Sequence, residues 1–181
     1  EISSTHDRAT HQANTDANQT DGERFDAAGG TIFGYTNDTY PSISESDVLN
    51  VYYFDGYDFD YPPSFYFVSF GTNTDYTEIT RGLATGSKTR MLLSTGAWGD
   101  MLATVSWYDD DQRPIQAFTE NHLGGNDRVD TYYNDRRQTA KTVQHHKYDP
   151  SAETHTFSTR FVYDAHGGQL VGTYCKLDDD P

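Results

Sequence analysis

A tyrosine followed by an aspartate or an asparagine recurs at the ends of three strand-like segments. The three pairs are Tyr108-Asp109, Tyr133-Asn134 and Tyr163-Asp164. Their tyrosines lie 25 and 30 residues apart. Self-similarity at such periods is typical of repeat proteins, in which each unit buries its apolar face against its neighbours. The sequence therefore predicts a stack of similar units, and its function is to be sought in the assembled stack.

The composition favours strands over helices. Fourteen tyrosines and ten phenylalanines occur with only two tryptophans. Tyrosine and threonine suit a pleated, half-buried surface, while aspartate and glycine suit the turns between strands. Long segments rich in Ala, Leu, Glu and Lys are missing. We therefore predict an all-β fold in which β-hairpins stack into an extended, open antiparallel sheet.

Individual strands are predicted where polar and apolar residues alternate, or where a short apolar run lies between turn residues. The predicted strands are 31–35, 48–54, 64–70, 90–93, 102–107, 114–120, 128–133, 139–145, 154–163 and 170–177. The polar, glycine-bearing segment 71–89 is predicted to be a long connection. Cys175 is the single cysteine, so no internal disulfide forms, and we expect it to be a small buried residue of the last strand.

Three regions of different character follow along the chain. Residues 1–24 carry almost no apolar side chains and are predicted to form a polar arm that is extended or disordered. Residues 25–177 form the β-repeat region. Residues 178–181 are an acidic tail or a point of truncation. Because the edge of an open sheet invites a further strand, the arm is a candidate for pairing along the edge of a neighbouring molecule.

The net charge of −15 limits the classes of partner. Nucleic-acid binding requires concentrated Lys and Arg, and an anionic membrane surface attracts the same residues, so neither partner is expected. No run of about 18 apolar residues is present, so no membrane insertion is expected. The acidity itself has three interpretations: a solvated surface, adaptation to high salt, or bound divalent cations.

Aspartates on two loops are the candidates for a metal site. Carboxylate oxygens on loops are the ligands that Ca²⁺ prefers, although neither run has the EF-hand spacing. The alternative is that they are ordinary turn aspartates, and no other cofactor is expected. The candidate ligands are Asp55, Asp58, Asp60, Asp109, Asp110 and Asp111. The neighbouring His145 and His146 should point to opposite faces of a strand and so should not share one metal.

The loop 53–67 combines aromatic rings with carboxylates. Tyr57, Phe59 and Tyr61 could stack on sugar rings while the nearby acids accept hydroxyl hydrogens. The same rings would serve equally well for packing between subunits. No serine, histidine or aspartate lies in a recognisable catalytic motif, so no enzymatic activity is expected.

Several longer segments resemble the Rhs, or YD-repeat, family of bacterial proteins. The resemblance rests on 103–116, 121–125, 127–133 and 161–167, which occur in the expected order, and it extends over most of 31–177. The chain departs from the family pattern in three ways. Gly167 is followed by Gly168 where the family has arginine, residues 136–138 lack the glycine altogether, and Asn134 takes the place of an aspartate.

The resemblance implies a secreted or surface-exposed bacterial protein whose hairpins wind into a spiral sheet or shell. In such a unit the tyrosine ring packs on the sheet and the aspartate accepts backbone N–H groups that fix the turn. The residues that match these structural positions are Tyr108, Asp109, Tyr133, Asn134, Tyr163, Asp164 and Gly167.

We therefore expect a non-enzymatic, extracellular structural protein that builds a sheet, a shell wall or a filament by strand pairing. Its partners would be copies of itself or further repeats of the same polypeptide. One alternative is a carbohydrate-binding or adhesive module that uses the loop 53–67. A second is a shell fragment of a polymorphic toxin.

Overall fold

The computed structural model describes residues 12–13, 17, 23–39 and 41–177 of the chain. Most of the predicted arm 1–24 and the tail 178–181 lie outside the described residues. The chain divides into two compact units, one of Glu1–Val51 with Asp58–Asp60 and one of Tyr52–Tyr57 with Tyr61–Pro181.

Eight strands make up the regular structure of the described residues. They are β1 (Asn50–Phe54), β2 (Ala84–Leu92), β3 (Trp98–Tyr108), β4 (Pro114–Glu120), β5 (Asn126–Tyr133), β6 (Thr139–Lys147), β7 (His155–Tyr163) and β8 (Leu170–Leu177). Two short 3₁₀ helices, Glu45–Asp47 and Pro63–Phe65, accompany them.

The strands lie in one sheet in the order of the chain, from β1 to β8. Each neighbouring pair from β2 to β8 is antiparallel. The sheet is open, with β1 and β8 at its two ends. The predicted all-β class and the open antiparallel sheet of stacked hairpins are thereby confirmed.

Two predicted strands are wrong, and both errors have a local cause. In 31–35, Phe33 and Gly34 adopt positive φ angles of 50° and 84°, which turn the chain back so that Ile32 forms an isolated bridge with Tyr35. In 64–70, the 3₁₀ helix that begins at Pro63 replaces extended backbone. The segment 64–70 is continuously apolar because it covers a sheet, not because it is a strand of one. Conversely, β2 begins at Ala84, inside the predicted connection 71–89.

The core of the second unit lies on one side of the sheet, here called the front face. It is defined by Val105, Trp107 and Phe118, which are at most 4% exposed. Ala103 shares this face with Val105 and Trp107 because residues two apart on a strand point the same way. Burial of these side chains is the main favourable contribution to the stability of this part of the sheet.

An irregular segment, residues 61–80, covers the front face over β3 and β4 and is here called the cover. The ring of Phe65 stacks on that of Phe118 with 5.2 Å between centroids. The indole Nε1 of Trp107 donates a hydrogen bond to the Phe65 carbonyl oxygen at 2.9 Å. The cover is therefore held by apolar packing and by a directed bond from the centre of the core.

The first unit carries no long strand among its described residues and is organised by side-chain hydrogen bonds. The Glu23 carboxylate accepts bonds from the hydroxyls of Thr36 and Thr39, and the Thr39 bond is the main reason that the pKa of Glu23 lies below its usual value. An apolar pocket of about 270 Å³ is lined by Ile32, Ile43 and other residues of this unit.

None of the helices in the described residues has the length and the apolar character that crossing a membrane requires.

Candidate functional site

The first tyrosine turn joins β3 to β4 and is closed by Asp109. The Oδ1 atom of Asp109 accepts hydrogen bonds from the backbone N–H groups of Asp111 and Arg113 at 3.0 and 2.9 Å. Its backbone N–H donates to the Arg113 carbonyl oxygen, and its carbonyl oxygen accepts from the N–H of Gln112. A short polar side chain at the first position thus satisfies the backbone of the whole loop.

The other two tyrosine turns follow the same scheme with small variations. Asn134 Oδ1 accepts the N–H groups of Arg136 and Gln138 at 2.9 and 3.0 Å, so an amide oxygen substitutes fully for the carboxylate. In the third turn Asp164 Oδ1 accepts the N–H groups of Gly167 and Gln169, and this loop is one residue longer. Gly168, directly before the closing residue, has a positive φ of 68°, and Gln112 and Arg137 also have positive φ at the matching positions of the two shorter turns.

The tyrosine that precedes each turn bonds to a neighbouring strand through its hydroxyl. Each hydroxyl donates to the carbonyl oxygen of the first residue of the preceding strand. The bonds are Tyr108 to Ala84 at 2.7 Å, Tyr133 to Pro114 at 2.9 Å and Tyr163 to Thr139 at 2.8 Å. The recurrence of one bond at three places is the structural repeat of this sheet, and it fixes one end of each strand against its neighbour.

The same five-residue turn also occurs at two places where no tyrosine precedes it. Asn121 Oδ1 accepts the N–H groups of Leu123 and Gly125, each at 3.0 Å. Leu93 begins a turn with the same backbone bonds, although its side chain accepts no hydrogen bond. The turn at Asn121 could have been predicted from its sequence, in which a glycine, Gly124, follows the asparagine three residues later.

Arginine side chains connect neighbouring tyrosine turns. The Nε atom of Arg113 donates to Asp109 Oδ2 at 2.8 Å, and this bond raises the pKa of Arg113 above its ordinary value. The Arg113 guanidinium also lies 4.5 Å from the centre of the Tyr133 ring, in the next turn of the series. The Arg137 guanidinium binds Asp111 at 2.9 Å. These contacts connect the Asp109 turn to the Asn134 turn.

Several of the candidate calcium ligands contact protein groups. Asp109 and Asp111 bind the arginines just described, Asp110 is exposed, and Asp55 Oδ1 accepts the N–H of Gly82. Asp58 and Asp60 are exposed in the first unit. Across the described residues no group of three metal-ligating side chains of the His, Cys, Asp and Glu types lies close enough to hold an ion. Calcium binding stays a prediction.

The candidate sugar-binding rings are engaged in packing. Tyr57 stacks on Trp107 with 4.2 Å between centroids, and Tyr61 meets the same indole edge-on at 6.2 Å. Burial raises the pKa of Tyr57 well above its ordinary value. Phe59 belongs to the first unit and is 5% exposed. Tyr76 of the cover, which the sequence did not single out, completes the group at 4.4 Å from the indole.

A buried polar network on the front face was not foreseen from the sequence. Asp130 is 2% exposed, and its carboxylate accepts from the Gln116 amide at 2.7 Å and pairs with Arg128 and His145 at 3.1 and 3.0 Å. Gln116 also exchanges two hydrogen bonds with the backbone of Val68 in the cover. The available signal was the pair of oppositely charged residues two apart, Arg128 and Asp130, on one face of a strand.

The two adjacent histidines lie on opposite faces, as predicted. His145 contacts Asp130 on the front face, whereas His146 pairs with Asp127 on the back. Adjacent residues of a strand point to opposite sides, so the two rings have separate partners.

The last strand, β8, presents large side chains to solvent at the end of the sheet. Within the described residues it pairs with β7 alone. Val171 is 64% exposed and Tyr174 is 65% exposed. The prediction that Cys175 is buried is wrong, because it lies on this terminal strand and is exposed.

No protein-family model, no curated protein and no solved structure matches this chain.

Proposed function

We propose that this protein is a non-enzymatic structural repeat segment, of the kind that the Rhs resemblance implies, that extends a β-sheet by strand pairing outside the bacterial cell. The regular tyrosine turns support a structural role. Their side chains are used to fix backbone geometry, with each tyrosine hydroxyl and each turn oxygen already bonded within the sheet.

The observation that carries the proposal is the terminal strand β8. A strand at the end of a sheet has backbone N–H and C=O groups on its outer side, and these are a template for another strand. Natural proteins usually protect such an edge with charged residues, proline or a bulge near the exposed side. β8 has a single charged residue, Lys176, and four exposed large apolar side chains, which are Leu170, Val171, Tyr174 and Leu177.

The partner strand comes from a second copy or from a further repeat. One feature favours a partner of the same repeat type. β8 itself follows a tyrosine turn, and in each earlier case the strand after such a turn accepts the next hairpin on its outer side. Main-chain pairing supplies the affinity, while the alternating side chains supply the register.

The test compares the full chain with a variant whose terminal strand is protected by charge. The variant is Val171→Lys with Thr173→Lys, and the control places the same two charges on exposed loops, Thr72→Lys with Thr95→Lys. We expect concentration-dependent oligomers for the wild type and the control by sedimentation velocity and light scattering, and monomers for the β8 variant. Electron micrographs of the wild type would distinguish filaments from closed shells.

Two results would contradict the proposal. One is a wild-type chain that stays monomeric at every concentration reached. The other is assembly that the β8 charges leave unchanged. Circular dichroism of all three proteins checks that each keeps its β-structure, so that loss of assembly is not loss of folding.

A further inference from the structure

The front face of the sheet changes character beyond the cover. Over β6, β7 and β8 its residues include Lys141, His145, Lys147, Arg160 and Lys176, and no acidic residue. The protein as a whole carries a net charge of −15. A surface of one sign within a protein of the opposite sign is a local attraction for ligands that the rest of the molecule repels.

Tyr174 provides a flat aromatic surface at the end of this face. Its ring lies beside Gly172, where a β-carbon would be in ordinary van der Waals contact with the ring carbon Cε2, at 3.5 Å. The side chain of Tyr174 is 65% exposed. An aromatic ring with one side open to water is suited to stacking on the apolar face of a sugar.

A cross-strand row places two cations beside this ring. Tyr132, Lys141, Arg160 and Tyr174 are direct partners across β5, β6, β7 and β8. Lys141 and Arg160 are therefore directly opposite each other, and like charges in that position destabilise a sheet. Within the described residues neither has a carboxylate within 4.0 Å, although the Lys141 ammonium lies 5.5 Å from the centre of the Tyr132 ring. An anion placed between them would relieve this repulsion.

A groove of about 440 Å³ lies next to this row, between the second and third tyrosine turns. Arg160, Phe161 and Val162 line it from β7, and the turn residues, which include the acidic Asp135 and Asp164, line it from the end of the sheet. Its walls are fixed to each other, since Arg136 donates to the Ala165 carbonyl oxygen at 2.8 Å and Gln138 donates to that of Gly168 at 2.7 Å. The volume is that of a small-molecule site, and the amide, guanidinium and carboxylate groups around it can bind sugar hydroxyls.

We propose that this surface, here called the β7–β8 site, binds an oligosaccharide that carries acidic groups. One sugar ring stacks on Tyr174, and a carboxylate or sulfate group lies between Lys141 and Arg160. The planar guanidinium of Arg160 can hold such an anion through two parallel bonds. The remaining sugars extend into the groove. This inference does not depend on the proposed assembly function, because its residues face the sheet surface and not the strand edge.

A sparsely charged glycan fits better than a nucleic acid. Nucleic acids carry a charge on every phosphate, and their affinity depends on neutralising several of them with Lys and Arg. A molecule with a net charge of −15 repels such a polyanion outside the site. An oligosaccharide needs only one or two anionic groups and gains the rest of its affinity from stacking and hydrogen bonds.

The experiment is calorimetric titration of the full chain with three matched trisaccharides: trigalacturonate, a sulfated galactose trimer and neutral galactotriose. The variants are Tyr174→Ala and Arg160→Gln. Their controls are Tyr148→Ala, an exposed tyrosine in the β6–β7 turn, and Lys88→Gln, a cation on β2. We expect an acidic trimer to bind at least tenfold more tightly than the neutral one. The two site variants should each weaken it at least tenfold, and the controls should change it less than twofold.

The carboxylated and sulfated arms identify which anion the site takes. The proposal is overturned if neither acidic trimer binds, or if the control variants lose as much affinity as the site variants. It is also overturned if polyglutamate or single-stranded DNA binds as tightly as the trimers at equal salt, because that would show a general attraction for polyanions. Unchanged melting temperatures of the variants show that lost binding is not lost folding.

Discussion

One side-chain oxygen at the first turn position performs the same task in four loops of this sheet. Asp109, Asn121, Asn134 and Asp164 each accept two backbone N–H groups, so in these four loops the task needs a short side chain with an acceptor and not a negative charge. The left-handed residue near the end of the turn is glycine in some loops but Gln112 and Arg137 in others, both with φ near 60°. Non-glycine residues adopt such angles at a cost, which the network of turn bonds offsets.

Tyrosines of this protein differ in what their hydroxyls do, which gives a matched pair of substitutions. Tyr163 donates to Thr139, whereas the hydroxyl of Tyr57 is buried beside the Tyr108 backbone and makes no hydrogen bond of good geometry. Tyr163→Phe should lower the free energy of unfolding by about 0.5–1.5 kcal/mol, the net value of one hydrogen bond. Tyr57→Phe should change it by less than about 0.5 kcal/mol or raise it, because it removes a buried polar group that lacks a well-formed hydrogen bond.

Urea unfolding monitored by tryptophan fluorescence measures both variants. Both remove a single oxygen atom, so each serves as the other's control. A larger loss for Tyr57→Phe than for Tyr163→Phe would show that the hydrogen-bond assignment is reversed.

At the scale of elements, one amide side chain adds two hydrogen bonds to the aromatic packing and the Trp107 bond that attach the cover to the sheet. Gln116 Oε1 accepts the Val68 N–H at 2.9 Å, and Gln116 Nε2 donates to the Val68 carbonyl oxygen and to Asp130. The Gln116 amide thus bonds to both the N–H and the C=O of Val68, as the backbone of a neighbouring strand would.

Gln116→Ala should loosen the cover and leave Asp130 short of one donor. We expect the free energy of unfolding to fall by about 1–3 kcal/mol, the cost of leaving a buried group without its partner. Amide hydrogen exchange should become faster in residues 65–70 and stay unchanged in β7. Gln144→Ala, at an exposed position of β6, is the control. Equal protection of 65–70 in both variants would show that the aromatic contacts alone hold the cover.

For the whole molecule, half-buried tyrosines predict sensitivity to alkali. Five tyrosines have pKa values above the ordinary value of about 10, chiefly because burial disfavours the phenolate. They are Tyr57, Tyr76, Tyr108, Tyr132 and Tyr133. Above pH 10 the unfolded chain loses these protons and the folded chain keeps them, so the unfolded state binds fewer protons and stability falls as the pH rises.

The urea midpoint should therefore be nearly constant from pH 8 to 9 and should decrease steadily above about pH 10. Tyr57→Phe should reduce the slope of that decrease, since it removes the tyrosine whose pKa is shifted most. Tyr52→Phe, at an exposed position, is the control and should leave the slope as it is. A midpoint that rises with alkaline pH, or a slope that Tyr57→Phe does not change, would contradict this.

The sequence alone determined the all-β class, the position of most strands and the location of the tyrosine turns. These depend on local chemistry: alternation of side chains, β-propensity and the short acceptors at turns act within a few residues of the chain. The bounds of β4 and β8 agree fully with the predicted 114–120 and 170–177 for this reason. The segment 64–70 was mistaken for a strand because an apolar run shows that a segment is buried but not what covers it.

Only the tertiary structure decided which distant residues meet. Val68 and Gln116 are 48 residues apart, and the row from Tyr132 to Tyr174 is assembled across four strands. Their contact depends on register, and a shift of one residue would send each side chain to the opposite face. The exposure of Cys175 and of the cationic face follows from which strands come last in an open sheet. That is a property of the whole arrangement, since burial depends on the presence of a neighbour and not on the residue itself.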